Sequence, residues 1–293
     1  MYPTGSQCSP PPLPKGGFLL QNSPNSLYYQ CLTIKFRMST YLWQNFLTDS
    51  KIRHRIADKA QDFYDKNNCK SLIEIWPWKW SITKLILNIS PDFTLFEKDE
   101  TLKEILEEVI AKKESWDAKI IWWDVLDWDL NQFEWKKNQT FVVWNLPYYI
   151  TSPILRMFFW NGKGEFAGWL FMVQDEVWEK LRSDAGKKSY LYWILNYAYE
   201  VQYLKTVPAK AFSPAPKVKS CMIWLVKKDS LPKIPFEELI RFLDLFSPYS
   251  RKTLWKISKM ISKKWGSFVI PEILSNKRLE ELDWIQLEQI FIA

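Results

Sequence analysis

Residues 74–87 (EIWPWKWSITKLIL) pass from an apolar, strand-like run into a segment with helical spacing. A junction of this kind often cradles a nucleotide-type cofactor, and its loop needs glycines so that the backbone can turn tightly and approach the ligand. If Trp76, Trp78 and Trp80 are read as glycine, the loop meets that need. Glu97 ends the next expected strand 21 residues after Trp76, close to the roughly 20 residues expected of a carboxylate that binds ribose hydroxyls. The spacing therefore predicts a cofactor site.

The composition bears on those tryptophans. The chain has 18 tryptophans and 8 glycines among 293 residues, whereas average usage gives roughly 7% glycine, about 20 residues. It also has 32 lysines and 8 arginines, as an AT-rich genome gives, and such genomes are where stop codons are reassigned. We therefore expect that an opal codon meaning glycine in the source has been translated as tryptophan.

The alternative is that the tryptophans are genuine aromatic core residues. Against it, three indoles at alternate positions of one turn leave no room for a cofactor. A non-glycine residue in the left-handed conformation also costs roughly 1–2 kcal/mol.

Alternating strand and helix patterns predict the elements that position this loop. Expected strands cover residues 71–75, 92–97, 119–122, 140–143, 167–173 and 220–226. Expected helices cover residues 81–88, 100–113, 152–159, 175–182, 236–246, 251–264 and 279–291. Residues 212–219 (FSPAPKVK) are expected to form a loop punctuated by prolines. Strands separated by helices of this length are typical of βαβ units, so the sequence predicts an α/β fold with a mainly parallel sheet.

Changes in composition along the chain predict three regions. The first 17 residues are proline-rich, and residues 1–37 are expected to be a disordered, untranslated or dispensable extension. Residues 38–230, which contain the strand–helix alternation, are expected to form one domain. Residues 231–293 are expected to form a small all-helical domain that begins with a linker at residues 231–235.

Several function classes receive little support. His54 is the only histidine, so a histidine-bearing metal cage or a catalytic triad would have to be built around one residue. The four cysteines form no CxxC pair, which argues against a zinc ribbon or a disulfide framework and favours a reducing cytoplasm. They are Cys8, Cys31, Cys69 and Cys221. The most membrane-like stretch, residues 141–160, is interrupted by prolines and an arginine, so we expect no spanning helix there.

Seven motifs stand in sequence order along most of the chain. They are YLWQNFLTD from residue 41, EIWPWKW from 74, WDVLDWD from 123, VVWNLPYYITSPI from 142, MVQDEVWEKL from 172, AFSPAPKVKS from 211 and FSPYSRKTL from 246. With glycine for tryptophan, this set closely resembles the ribosomal RNA adenine dimethyltransferase family of S-adenosylmethionine-dependent enzymes. The resemblance runs from Tyr41 to Phe291. Its departures are the tryptophans and Asp175, where the family usually has lysine.

The resemblance implies a Rossmann-like class I methyltransferase sheet followed by the small all-helical domain. It also implies S-adenosylmethionine as the cofactor, with no metal. The cofactor residues that it implies are Asn45, Leu47, the loop positions Trp76 and Trp78 (as glycine), Glu97, Asp124 and Asn145. A carboxylate suits both acidic positions, because Glu97 would accept two ribose hydroxyls and Asp124 the adenine amine. Alternatively, both are ordinary charged residues at strand ends.

The same resemblance assigns the chemistry to Asn145, Leu146, Pro147 and Tyr148. An adenine amine is a poor nucleophile because its lone pair is delocalised into the ring, so the site must accept the amine hydrogens and align the lone pair with the methyl group. The Asn145 side-chain carbonyl and the Leu146 main-chain carbonyl suit this task. Tyr148 and Phe212 would stack on the two faces of an extruded base. On its own, NLPY could also be a simple turn.

Basic residues are concentrated late in the chain. Residues 241–278 hold nine basic residues against two acidic ones, and the chain carries a net charge of +7. Such a run is usually a solvated helical face, but beside a base-modifying site a contact with the RNA backbone is favoured. The residues expected to contact RNA are Arg251, Lys252, Lys256 and Lys259.

Three functions remain open from the sequence. The favoured one is dimethylation of two adjacent adenines near the 3′ end of small-subunit rRNA, by a monomer that acts on the pre-30S ribosomal particle. The second is a large-subunit rRNA adenine methylase of the antibiotic-resistance type, which more often has isoleucine in place of Leu146. The third, which applies if the tryptophans are genuine, is a non-catalytic rRNA-binding assembly or transcription factor.

Overall fold

Nine strands and eight α-helices make up the described part of the chain. The computed structural model describes residues 45–77, 82–112, 117–122, 137–145, 155, 159, 166–182, 188–265 and 268–292. The strands are β1 (Phe46–Leu47), β2 (Ser71–Ile75), β3 (Asp92–Glu97), β4 (Asp117–Trp122), β5 (Thr140–Asn145), β6 (Gly168–Gln174), β7 (Tyr199–Val207), β8 (Phe212–Ser213) and β9 (Ser220–Lys227). The helices are α1 (Ser50–Lys66), α2 (Thr83–Ile86), α3 (Lys103–Ala111), α4 (Asp175–Leu181), α5 (Tyr190–Ala198), α6 (Phe236–Phe246), α7 (Leu254–Trp265) and α8 (Trp284–Ile292).

Seven of the strands form one sheet in the order β4-β3-β2-β5-β6-β9-β7. The first five run parallel to one another, while β9 is antiparallel to both β6 and β7. The prediction of a mainly parallel sheet is confirmed. The antiparallel end was not foreseen, because β7 was not predicted as a strand.

Apolar residues cover both faces of the sheet. On one face, α1, α2 and α3 pack against β2, β3 and β5. On the other, one continuous cluster joins the sheet to α5 and to the C-terminal helices α6, α7 and α8. A parallel strand covered on both faces is expected to be mostly apolar, and β2 is buried at all five positions, two of which are polar, Ser71 and Glu74.

Local signals explain several element boundaries. The side chain of Asp49 accepts a hydrogen bond from the Ile52 amide at 3.1 Å and so caps the N-terminus of α1. Four predicted helices begin later than expected, and the one predicted at 251–264 begins at Leu254. The helix predicted at 100–113 begins with a 3₁₀ turn, Glu100–Leu102, and the one predicted at 279–291 begins with the turn Leu279–Glu281. The helix predicted from residue 81 is seen only as Thr83–Ile86.

The described residues all belong to one compact unit, Thr40–Ala293. After β9 they form only helices and 3₁₀ turns, in agreement with the predicted all-helical C-terminal segment. The boundaries at residues 37 and 230 stay predictions. The helix expected at residues 152–159 lies almost wholly outside the described residues.

Candidate active site

The register of the parallel strands brings the ends of β2, β3 and β5 to one level. Ile75, the last residue of β2, pairs with Phe96 of β3 and with Trp144 of β5. The next residue along each of the three chains is therefore Trp76, Glu97 or Asn145. The chain order reverses between β2 and β5, and in open α/β sheets ligands bind outside the carboxyl ends of the strands at such a point. Three predicted site residues thus converge where a cofactor is expected.

Glu97 presents a buried carboxyl at this edge. Its side chain is 2% exposed, and its Oε1 accepts hydrogen bonds from the amides of Lys98 at 2.8 Å and Asp99 at 2.9 Å. Burial raises the pKa of Glu97 to about 6, while the two amide hydrogen bonds work in the opposite direction. At neutral pH the carboxylate is therefore mainly ionised and suited to accept hydroxyl donors.

Trp76 adopts the backbone conformation that favours glycine. Its φ is 63°, in the left-handed region, and its amide donates to the Phe96 carbonyl at 3.0 Å. The side chain is buried, with the Lys98 Nζ 5.4 Å from its ring centroid. A bulky residue in this conformation is strained by roughly 1–2 kcal/mol. The backbone therefore makes the tight turn that the sequence predicts for a glycine loop, whereas the indole side chain does not suit that turn.

Two tryptophans far from the loop in sequence conflict with the fold in another way, through buried indole N–H groups. The indole Nε1 atoms of Trp193 in α5 and Trp224 in β9 are buried without a hydrogen-bond acceptor in the part of the chain that the structure describes. A buried indole usually finds a partner, and an unsatisfied donor costs roughly 1–3 kcal/mol. These two positions favour a residue without an indole.

Glu74 is a second buried carboxyl, which the sequence analysis did not single out. It is 3% exposed within β2, and its Oε2 has no hydrogen-bond partner among the described residues. Burial, with a smaller contribution from the nearby charge of Glu97, raises the pKa of Glu74 to about 8. The Thr83 hydroxyl beside it lowers the pKa, although its geometry falls short of a regular hydrogen bond. The available sequence signal was an acidic residue inside the apolar run SLIEI.

A short strand pair links the predicted cofactor residues to the predicted base-binding residue. Leu47 of β1 pairs with Phe212 of β8, and both side chains are buried in the same apolar cluster. Asn45 precedes this pair and is partly buried. The loop prediction for residues 212–219 is therefore wrong at its first two residues, which form β8. That pairing joins residues more than 160 positions apart, so no local signal reveals it.

Several predicted site residues lie outside the described residues. They are Trp78, Asp124, Leu146, Pro147, Tyr148 and the side chain of Asn145. Their roles stay predictions. Trp122, the last residue of β4 and two positions before Asp124 in the sequence, pairs with Glu97, so β4 ends at the level of Glu97.

The four predicted RNA contacts lie together around the start of α7. Arg251, Lys252, Lys256 and Lys259 are all exposed, and the Lys259 Nζ lies 3.9 Å from the ring centroid of Trp255. None of the four forms an ion pair within the described residues, whereas Arg278 lies 3.7 Å from Glu280. This surface therefore presents positive charge without local acidic partners.

The residues that the structure describes contain no group of three or more histidine, cysteine or acidic side chains that could hold a metal ion. None of their helices is both long and apolar enough to cross a membrane.

Comparison with known proteins identifies close sequence relatives. A model of the ribosomal RNA adenine dimethylase family matches residues 35–291. A ribosomal RNA small subunit methyltransferase A from Levilactobacillus brevis is 33% identical over 270 residues, covering 85% of this chain and 88% of the relative. The protein of the same name from Maridesulfovibrio salexigens is 35% identical over 234 residues, covering 77% of this chain and 82% of the relative.

Solved structures show the same architecture. A dimethyladenosine transferase from Plasmodium falciparum has a TM-score of 0.66 at 18% identity and covers 84% of this chain and 96% of its own. The 23S rRNA methyltransferase ErmE has a TM-score of 0.59 at 19% identity and covers 85% of this chain and 100% of its own. At these identities the likeness establishes the fold, and the predicted Rossmann-like α/β class is confirmed.

Glu74 should make stability fall as pH rises. Its raised pKa means that the folded state holds a proton that the unfolded state releases above its usual value of 4.5. Between that value and about 8, this group should lower the free energy of unfolding by about 1.4 kcal/mol per pH unit. Glu74→Gln should remove that slope, so the variant gains stability over the parent as pH rises. Urea unfolding at pH 5 and pH 8 measures this.

Glu104→Gln on α3 provides the control, since Glu104 is exposed and the exchange is chemically the same. It should leave the parent's pH dependence unchanged. A Glu74→Gln variant that keeps the parent's slope would show that Glu74 is ionised in the folded protein.

Proposed function

The chain belongs to the ribosomal RNA adenine dimethylase family, and from this membership we propose that it is a small-subunit rRNA methyltransferase. Its proposed reaction is dimethylation of the exocyclic amines of two adjacent adenines near the 3′ end of that rRNA. The observation that carries the proposal is the family match over residues 35–291, together with relatives named for the small subunit. We further propose that it acts in the cytoplasm as a monomer on the pre-30S particle.

The proposed cofactor is S-adenosylmethionine, which when bound supplies an electrophilic methyl group on a sulfonium. The fit rests on two features of the carboxyl edge of the sheet. Glu97 offers a buried carboxylate, and the backbone at residue 76 makes the left-handed turn that a cofactor loop requires. We assign the ribose hydroxyls to Glu97 and the adenine amine to Asp124. Asn45, Leu47, residues 76 and 78, and Asn145 would complete the site.

The proposed target is an adenine turned out of its stack. Asn145 would accept a hydrogen from the target amine through its side-chain carbonyl, and Leu146 would accept the other through its main-chain carbonyl. Pro147 would hold this turn rigid, and Tyr148 and Phe212 would stack on the base. The end of β5 and the β1–β8 pair support this arrangement, because they bring Asn145 and Phe212 to the chain segments that carry the proposed cofactor residues.

This function requires glycine in the cofactor loop. We infer that residues 76, 78 and 80 are glycine in the protein that the source organism makes, through an opal codon translated here as tryptophan. The left-handed backbone of Trp76 supports this, as do the buried indole N–H groups of Trp193 and Trp224 that lack acceptors among the described residues. The two conflicts have different physical causes, strain in the first and desolvation in the second, and glycine removes both.

The large-subunit alternative has one structural neighbour in its favour, the 23S rRNA methyltransferase ErmE. At 19% identity that likeness concerns the fold alone. The relatives at 33% and 35% identity are named for the small subunit. We therefore keep the small-subunit function, and the choice of RNA in the assay below decides between the two.

Asn145→Ala should abolish methyl transfer while leaving the fold and the RNA affinity intact, because it removes an acceptor at the reacting amine. The assay follows labelled methyl transfer to fragments of small- and large-subunit rRNA, with dimethyladenine identified by mass spectrometry. It uses the chain with glycine at residues 76, 78 and 80. Asn138→Ala is the matched control, since Asn138 is exposed at the opposite end of β5, where it contacts Lys227. Full turnover by Asn145→Ala would refute the mechanism, and transfer only to the large-subunit fragment would favour the alternative.

Replacing the three loop tryptophans by glycine should create S-adenosylmethionine binding. The chain with tryptophan at these positions should not bind, because indoles occupy the loop. Calorimetry on the two proteins measures the difference. Trp255→Gly serves as the control, because Trp255 is exposed on α7 and its loss should not restore binding. Equal affinity of the tryptophan and glycine chains for S-adenosylmethionine would show that residues 76–80 are not the cofactor loop. It would also support a non-catalytic RNA-binding role. Ordinary tryptophan codons at residues 76, 78 and 80 in the gene would refute the reassignment.

The basic surface at the start of α7 should make RNA binding salt-dependent. If Arg251 and Lys256 contact phosphates, replacing both by alanine should lower the slope of log affinity against log salt by roughly 0.7 per lost contact on single strands, or about 0.9 on duplex. Lys103→Ala with Lys112→Ala removes the same charge from the two ends of α3, where both lysines have glutamate partners. That control should keep the parent's slope. If the α7 variant also keeps it, this basic surface is solvated and RNA is held elsewhere.

A further inference from the structure

Three hydrogen-bond donors converge on one carbonyl where β1 meets β8. The Ala211 carbonyl accepts from the Thr48 amide at 2.8 Å, from the Thr48 Oγ1 at 3.1 Å and from the Asp49 amide at 3.2 Å. A carbonyl oxygen has two lone pairs, so three donors saturate it. The junction is therefore fixed more firmly than the two-residue length of either strand implies.

This junction lies between the two halves of the proposed site. Thr48 follows Leu47 directly, and Ala211 directly precedes Phe212, the strand partner of Leu47. Two-residue strands make few ladder hydrogen bonds, and so short a pair has little stability of its own. The separation between the proposed cofactor side at Leu47 and the proposed base side at Phe212 consequently depends on the contacts at Ala211.

Both partners of the junction are attached to larger elements. On one side, Asp49 caps α1, so the 17-residue helix begins where the donors stand. On the other side, the Ala211 amide donates to the Pro208 carbonyl at 2.9 Å, within the 3₁₀ turn that follows β7. The hydroxyl of Thr48 thus acts between a helix and a strand of the main sheet, each held by its own packing.

We propose that Thr48 is a positioning residue that sets the distance between Leu47 and Phe212 and thereby the capture of the target adenine beside the cofactor. This inference rests on the proposed function. The Thr48 side chain is exposed apart from this contact, so its hydroxyl adds little to the core. Its main structural consequence is the third hydrogen bond to Ala211.

The test compares Thr48→Val, which keeps the shape and loses the hydroxyl, with Thr48→Ser, which keeps the hydroxyl. Both are made in the chain with glycine at residues 76, 78 and 80. Thr48→Val should increase amide exchange in residues 46–48 and 211–213 and raise the KM for small-subunit rRNA about two- to tenfold, the range set by loss of one partly exposed hydrogen bond. The kcat at saturating RNA should change less, and Thr48→Ser should restore both exchange and KM.

Thr206→Val is the matched control, because Thr206 is exposed on β7 and its hydroxyl bonds to Tyr203 instead. It should leave exchange at the junction and the KM unchanged. Unaltered exchange in Thr48→Val would overturn the positioning role whatever the activity, and so would increased exchange with an unaltered KM. A parent chain that bound RNA without methylating it would refute the proposed function. In that case, amide exchange together with the RNA affinity, measured instead of the KM, would still decide the role of Thr48.

Discussion

The in-register parallel pairing of β2 with β3 on one side and β5 on the other is the constraint on which the site depends. Because Ile75 lies opposite both Phe96 and Trp144, the chain leaves all three strands at the same level. Residues 76, 97 and 145 are far apart in sequence, and only this register brings them to one edge. A slip of one residue in either pairing would move a buried face toward the opposite layer, which the apolar clusters on both faces oppose. The packing of the two layers therefore also fixes the chemistry at the edge.

Three tryptophans, Trp76, Trp193 and Trp224, conflict with that scaffold through their own side chains. At residue 76 the strand register and the amide bond to Phe96 impose a left-handed turn, which a side chain of any size opposes. At residues 193 and 224 the backbone is regular helix or strand, and the conflict is a buried donor that lacks an acceptor within the described residues. Natural sequences agree with their fold at most levels, so two conflicts of different physical cause at tryptophan positions favour another residue at these positions and leave the fold unaffected.

The sequence anticipated elements whose signals are local. The bounds of β3 (Asp92–Glu97) and α6 (Phe236–Phe246) match the prediction, since each is a short apolar pattern closed by polar or proline residues. The apolar pattern DFTLFE also placed Glu97 at a strand end. Three features escaped prediction because their signals are not local. The β1–β8 pair joins distant residues, β7 is an edge strand whose polar residues obscure its alternation, and Glu74 becomes unusual only through burial. The motifs around residues 124 and 146–148 rest on family resemblance alone.

Two buried carboxyls on neighbouring strands, Glu74 in β2 and Glu97 at the end of β3, differ in their state of ionisation. Glu97 receives two backbone N–H donors and its pKa rises only to about 6, whereas Glu74, whose Oε2 has no partner among the described residues, rises to about 8. Near neutral pH the first is therefore ionised and the second protonated, although both lie in one sheet. Each state supports the other, because an ionised Glu74 would raise the pKa of its neighbour through like-charge repulsion. Separation of two pKa values by environment is how sites keep one carboxyl as an acceptor and another neutral. Near neutral pH, Glu97 is therefore the carboxyl that can accept hydroxyl donors, and the backbone amides of Lys98 and Asp99 contribute to that difference.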